Sequence, residues 1–359
     1  MRDDRMALDI LLNATNEEAT APTGDASFYS ELASATTRNI DFRYDKESTS
    51  RSVRRGLAKT CDALSVVTPV APLRRLAMRT GRSLLTPSQP RGPSTIVLSH
   101  IHCPRLRDGS RLIWSSQGIS TRDYYEIADG KVTLDDVIAL YQRLGDRADS
   151  LLVWCESGAS RLADHCPSLA ARIRVVHPPV LDSSHEGGIG GDVPAIVFVG
   201  TDPARKGLDT LIAAFPRVRR ELPTTELRIL GVPASRSAPD GVSFLGRCAR
   251  REVVNAMASA DVLVLPSRAE TYGLTVVEAM MMGLAVVVSD VEPLPEVAGS
   301  EISVVPVDQP NALAERLIEL FRDSALLSAE KRRCRALYET RNATHVFLTA
   351  LDALCRDLA

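Results

Sequence analysis

An α/β protein of two doubly wound domains facing a cleft is the architecture this sequence predicts, on three observations. From residue 195 to 289 short, continuously apolar segments alternate with amphipathic helical patterns, the signature of a parallel sheet covered on both faces. The chain has 359 residues, too many for one ordinary core and enough for two. Between its halves runs Glu186-Gly187-Gly188-Ile189-Gly190-Gly191-Asp192, where glycine removes most side-chain restraint on the backbone and a hinge is expected. The boundaries that follow are a first domain over 1–185, a hinge over 186–194 and a second domain over 195–340. A last segment, 341–359, carries Val346, Leu351 and Leu354 at helical spacing and is expected to pack back onto the first domain.

In the first half, Thr95–Leu98, Leu112–Trp114, Leu151–Trp154 and Ile173–Val176 read as buried strands, with a helical pattern over Leu134–Leu144. Residues 15–55 are polar, rich in Ser, Thr and Ala, and are expected to form loops. The second half reads more regularly. Strands are expected at 195–199, 226–230, 242–245, 262–265 and 285–289, and helices at 207–221, 249–259 and 274–283. In the first of these helices Leu208, Leu211, Ile212, Phe215, Val218 and Leu222 make one stripe, and Pro216 is expected to interrupt and kink it.

Composition narrows the function. Hydrophobic residues make up 45% and charged residues 25%, with a formal net charge of -2, so no global field draws the chain to nucleic acid and small-molecule chemistry is favoured. Seven cysteines are scattered without a C-x-x-C pair, which predicts reduced thiols rather than a zinc site or a disulfide framework. Asp3, Asp4 and Asp9 spoil a secretory signal, and no apolar run reaches the ~18 residues of a membrane span; a cytoplasmic protein is expected. Arg51, Arg54, Arg55, Lys59, Arg74, Arg75, Arg79 and Arg82 make residues 50–85 basic, with leucines interleaved. This is either a solvated helix face or a peripheral contact with an anionic membrane surface or a phosphate-bearing acceptor.

The chemically richest stretch is Arg268 to Gly283, RAETYGLTVVEAMMMG. A short apolar strand gives way there to a glycine turn and a helix. Glu270 falls in the loop, while Gly273, Leu274 and Thr275 offer backbone N–H groups at a helix start, where unpaired donors and the helix dipole favour an anion such as phosphate. Glu278 lies about one turn further in, where a carboxylate accepts hydrogen bonds from two vicinal hydroxyls. A ligand carrying both phosphate and polyol fits, and a nucleotide sugar has that combination. Two solvated carboxylates are the bland alternative.

Elsewhere, His100 and His102 follow the strand at Thr95–Leu98 and point the same way. Without a third ligand they are poor metal residues, and His100 is a candidate on the acceptor side. Asp135 and Asp136 follow Thr133 at the start of a helical pattern, so capping explains them better than a metal does.

The segments FVGTDPARKGLDTLIAAF, LRILG and FLGR and the block from Ala260 to Val297 together resemble the retaining glycosyltransferases of family 4, which adopt the GT-B fold of two Rossmann-like domains. The resemblance covers roughly 195–300, and its most specific element is the E-x7-E pattern. It implies that Glu270 lies by the donor sugar and diphosphate, that Glu278 holds the ribose hydroxyls, and that Lys206 neutralises the departing diphosphate, with no metal cofactor. An arginine customary after Gly200 is replaced by Thr201, and Arg205 or Arg247 is expected to compensate. The first half departs further. Nothing in residues 1–40 reads as the customary opening strand and Gly-Gly loop, and Ser115-Ser116-Gln117-Gly118 stands where a His-Gly pair is usual.

The expected activity is transfer of a sugar from a nucleoside diphosphate sugar to an unknown acceptor hydroxyl, with retention. The alternative is a non-catalytic nucleotide-sugar-binding partner or regulatory subunit. A dinucleotide-dependent oxidoreductase fares worst, because no strand is followed by G-x-G-x-x-G.

Overall fold

The computed structural model describes the backbone of residues 7–11, 40–41 and 95–100, and residues 111–180, 193–233 and 238–358 in full. The expected hinge glycines, His102 and the basic stretch 50–85 lie outside the described residues, as does the side chain of His100.

Two six-stranded sheets, parallel throughout, organise these residues. The first contains β1 (Ala7–Leu11), β2 (Ile40–Asp41), β3 (Thr95–His100), β4 (Arg111–Ser116), β5 (Ser150–Val153) and β6 (Ile173–Val175), in the spatial order β2-β1-β3-β4-β5-β6. The second contains β7 (Ala195–Val199), β8 (Glu226–Leu230), β9 (Val242–Gly246), β10 (Val262–Leu265), β11 (Ala285–Ser289) and β12 (Val304–Val305), in the order β12-β11-β10-β7-β8-β9. Around the first sheet lie α1 (Thr121–Ala128), α2 (Leu134–Gly145) and α3 (Glu156–His165). The second carries α4 (Leu208–Glu221), α5 (Arg250–Ala258), α6 (Leu274–Met281), α7 (Leu294–Ala298), α8 (Pro310–Arg322), α9 (Ser324–Leu337) and α10 (Thr344–Leu358). This is the predicted α/β class with two Rossmann-like domains.

The second sheet forms because its strands are apolar on both faces. Val262, Leu263, Val264 and Leu265 are all fully buried, at about 1.5 to 3 kcal/mol each relative to exposure. Chain order reverses between β7 and β10, which pair directly. Such a reversal opens a crevice beyond the carboxyl ends of the two strands. The loops after β7 and β10 therefore meet there.

Three expectations are corrected. Residues 1–40 do supply an opening strand: β1 pairs with β2 on one side and β3 on the other. Its five residues, ALDIL, include an aspartate, so no continuous apolar run announces it, and only pairing on both sides makes it a strand. Residues 15–55, read as loops, contribute the two-residue β2. Pro216 does not interrupt α4, which runs unbroken from Leu208 to Glu221. Proline removes a single ladder hydrogen bond, while Leu211, Phe215 and Val218, all fully buried, hold the helix to the core on both sides of it.

Thr133 and Asp136 form the expected cap of α2: the Thr133 hydroxyl accepts from Asp136 N–H at 3.2 Å and donates to Asp136 Oδ2 at 2.7 Å. After α9, a π-helical turn over Tyr338–Asn342 meets the end of the first domain, with Tyr338 Oη donating to Val180 O (3.1 Å) and Asn342 Nδ2 to Pro178 O (2.8 Å). Phe347, Leu351 and Leu354 of α10 share one buried cluster with Ile113, Leu152 and Trp154 of the first domain.

Candidate active site at the strand-order reversal

Lys206 follows β7 and Glu270 follows β10, 64 residues apart, and the crossing of their loops brings them together. Gly207 makes the crossing possible. It sits in the left-handed region with φ 69°, and a Cβ there would lie 2.0 Å from the Pro266 carbonyl oxygen, so only glycine fits. The Arg268 N–H then donates to Arg205 O at 2.8 Å, tying the two loops main chain to main chain.

Glu270 is 3% exposed. Its Oε1 accepts from Lys206 Nζ in a close ion pair and from Ser267 Oγ at 2.9 Å, and Arg205 Nη1 stands 3.8 Å away. A buried carboxylate persists only when paired and hydrogen-bonded, and these groups supply that. Arg205 is itself held by Asp202 Oδ2 (3.0 Å) and by Ala269 O (2.8 Å). Burial pushes the Asp202 carboxyl up, but its hydrogen bonds from Arg205 outweigh this and hold its pKa below the usual value. Lys206 and Arg205 thus stand side by side in a nearly dry crevice, balanced by Glu270 and by the more exposed Asp202, and paired cations held there suit an anionic ligand that takes over from a carboxylate.

Gly200 follows β7 close beneath Lys206: a Cβ there would lie 3.1 Å from Lys206 Cγ. Gly273 caps α6 with φ 100°, and a Cβ would meet Leu294 Cδ2 at 2.8 Å. Leu274 and Thr275 open α6, so their N–H groups belong to its first turn, and Glu278 lies one turn on. Glu278 Oε1 accepts from Arg250 Nη1 of α5 at 2.6 Å. Arg247 is exposed on the segment after β9. His100 is the last residue of β3, in register with Ser115 of β4, at the carboxyl end of an inner strand of the other sheet.

The Glu270 loop is also held from the first domain. Tyr272 is fully buried; its hydroxyl lies 3.1 Å from His177 Nδ1 and accepts from Asn342 Nδ2 at 3.0 Å, and its ring meets Trp154 edge-on at 6.1 Å. Burial, reinforced by the Arg341 charge, lowers the His177 pKa to about 4, so its ring is neutral. Burial pushes the Cys155 thiol up to about 11, which makes it a poor nucleophile at neutral pH. Thr121, Ser267, Tyr272 and Arg250 were not singled out in the sequence. Only Ser120-x-x-Asp123 carries a local signal, that of a helix start, and that signal says nothing about what the helix abuts.

Two Rossmann-like domains, with a charged site at the reversal point of one sheet, define the GT-B architecture, and residues 193–323 match the family described as Glycosyl transferases group 1. The chain is similar to phosphatidyl-myo-inositol mannosyltransferase of Mycolicibacterium smegmatis, 27% identical over 291 residues that take in 78% of this chain and 67% of that protein. It is also similar to D-inositol 3-phosphate glycosyltransferase of the same organism, 31% identical over 46% of this chain and 43% of the relative. The chain thus spans about two thirds of one curated relative and under half of the other. Among solved structures, sucrose-phosphate synthase from Thermosynechococcus elongatus superposes with a TM-score of 0.70 over 99% of both chains at 16% identity, a likeness of fold alone. Together these comparisons support a glycosyltransferase. No helix among the described residues is long and apolar enough to cross a membrane.

Proposed function

We propose that this protein transfers a sugar from a nucleoside diphosphate sugar to an acceptor hydroxyl with retention at the anomeric carbon. The observation that carries the reading is the buried meeting of Lys206 and Glu270 in the loop that leads directly into the first turn of α6. The diphosphate would lie against Lys206, Arg205 and the amides of Gly273, Leu274 and Thr275, with Glu278 taking the ribose hydroxyls. In the transition state negative charge grows on the departing diphosphate, and cations already fixed in a dry site stabilise it without reorganisation. Lys206 exchanges its Glu270 partner for the phosphate as that charge appears, and Glu270 then faces the sugar. Retention follows from same-face attack, with the leaving phosphate taking the acceptor proton; no metal is required, because two cations and the helix start supply the charge. The names of the curated relatives favour an inositol-bearing acceptor, and the basic stretch 50–85 suits one presented on an anionic membrane.

A thermal-shift screen of UDP-, GDP-, ADP- and dTDP-sugars tests the reading without a choice of acceptor, since a ligand that binds only the folded state raises its melting temperature. One nucleotide series is expected to stabilise the protein; indifference to all four would refute the proposal.

A further inference from the structure

The first domain grips the peptide of Glu270 through one hydroxyl and one amide. Thr121, the first residue of α1, accepts from the Glu270 N–H at 2.9 Å and donates to the Glu292 carbonyl at 2.7 Å, with Glu270 O 3.0 Å away. The next amide, Arg122 N–H, donates to Glu270 O at 3.3 Å. Both main-chain polar groups of Glu270 therefore end on the first domain, while its carboxylate ends on Lys206 and Ser267 of the second.

The segment that presents Thr121 is itself stiff. Asp123 Oδ2 accepts from both the N–H (2.7 Å) and the hydroxyl (2.8 Å) of Ser120, Arg161 Nε donates to Ile119 O at 2.8 Å, and Tyr141 Oη donates to Gly118 O at 2.5 Å. Contact between the domains does not depend on Thr121 alone. At the start of α3 the Glu296 carboxylate of the second domain accepts from Glu156 N–H (2.8 Å) and Ser157 N–H (3.2 Å), and the Tyr272 cluster and the Tyr338–Val180 and Asn342–Pro178 bonds add further bridges. A change at Thr121 thus loosens the Glu270 peptide while the other bridges stand.

We propose that Thr121 is a positioning residue that sets where the Glu270 carboxylate stands, so that the first domain governs the geometry of a group bonded to the second. This rests on the glycosyl-transfer reading above. The hydroxyl is essential to it. Valine has the same shape but would leave the Glu270 N–H and the Glu292 carbonyl without their partner, whereas serine keeps both bonds.

The test compares wild type, Thr121→Val and Thr121→Ser with UDP-, GDP-, ADP- and dTDP-glucose and GDP-mannose, by calorimetric binding and by release of nucleoside diphosphate, together with hydrogen exchange at the Glu270 amide. In Thr121→Val, kcat is expected to fall roughly tenfold or more with KM for the sugar nucleotide within about threefold, because Glu278 and the α6 amides are untouched. The Glu270 amide should exchange faster, and Thr121→Ser should restore both readouts. Retained nucleotide binding shows that the valine variant is folded. A valine variant as fast as wild type, a serine variant as slow as valine, or unchanged exchange at Glu270 overturns the role of Thr121 and leaves glycosyl transfer standing. A wild-type protein that binds none of the UDP-, GDP-, ADP- and dTDP-sugars takes both readings down.

Discussion

Glu270 and Glu278 sit on the same loop-helix unit in opposite surroundings. Glu270 is enclosed, bonded by Lys206 and Ser267 through its side chain and by the first domain through its main chain. Glu278 stands one helical turn into α6 with a side chain 14% exposed and a charge partner, Arg250, from its own domain. On the proposed reading the difference gives them separate duties: the first glutamate depends on both domains being in place, and the second depends on one. Turnover should therefore respond to changes around Glu270, and nucleotide affinity to changes around Glu278.

The largest expected effect is at Lys206. Lys206→Ala should lower turnover by roughly 100-fold, since it removes a fixed cation from the proposed leaving diphosphate and leaves Glu270 buried without its closest partner; the rate of nucleoside diphosphate release measures this. Near-normal turnover would dissolve the distinction between the two glutamates.

The next effect concerns the support of the Glu270 loop. His177 has its pKa depressed to about 4 by burial and by Arg341, against an ordinary 6.5. The unfolded chain takes up this proton first on acidification, so the contribution of neutral His177 is fully present above about pH 6.5 and is lost as the pH falls towards 4. Between pH 7 and pH 5 the loss is about 2 kcal/mol. Denaturant titrations across that range should show it, and His177→Asn, which cannot titrate, should flatten the dependence relative to wild type. Parallel curves for the two proteins would remove His177 from the account.

The smallest effect sharpens the comparison from the other side. Glu278→Ala should weaken nucleotide binding about tenfold in calorimetry with a smaller change in kcat. Arg250→Ala should also act on affinity rather than on turnover, because Arg250 touches Glu278 and not Glu270. An Arg250→Ala protein that lost turnover at full affinity would contradict the division of duties.

The second domain was legible because its information is local. Apolar runs such as Val262–Leu265, the stripe of α4 and the helix start at Gly273 follow from periodicity, and the strand ends place Lys206 and Glu270 beside one another once the sheet order is known. The first domain was less so. A strand with an internal aspartate, β1, and a two-residue strand, β2, exist through their pairing, and no pattern within five residues encodes a neighbour 32 or 88 positions away.

By itself the sequence determined the alternation of strands and helices, the α/β class, and which residue types could meet a phosphate and a polyol, because propensity, hydrophobic period and helix-end chemistry act over a few residues. Tertiary structure alone decided that Thr121, a threonine of ordinary local sequence, would hold the Glu270 peptide, that Arg250 rather than the exposed Arg247 would face Glu278, and that His177 would be kept neutral against Tyr272. Those outcomes arise where surfaces distant along the chain are pressed together and water is excluded, so that hydrogen bonds and charges must be satisfied by whichever groups the packing brings into reach.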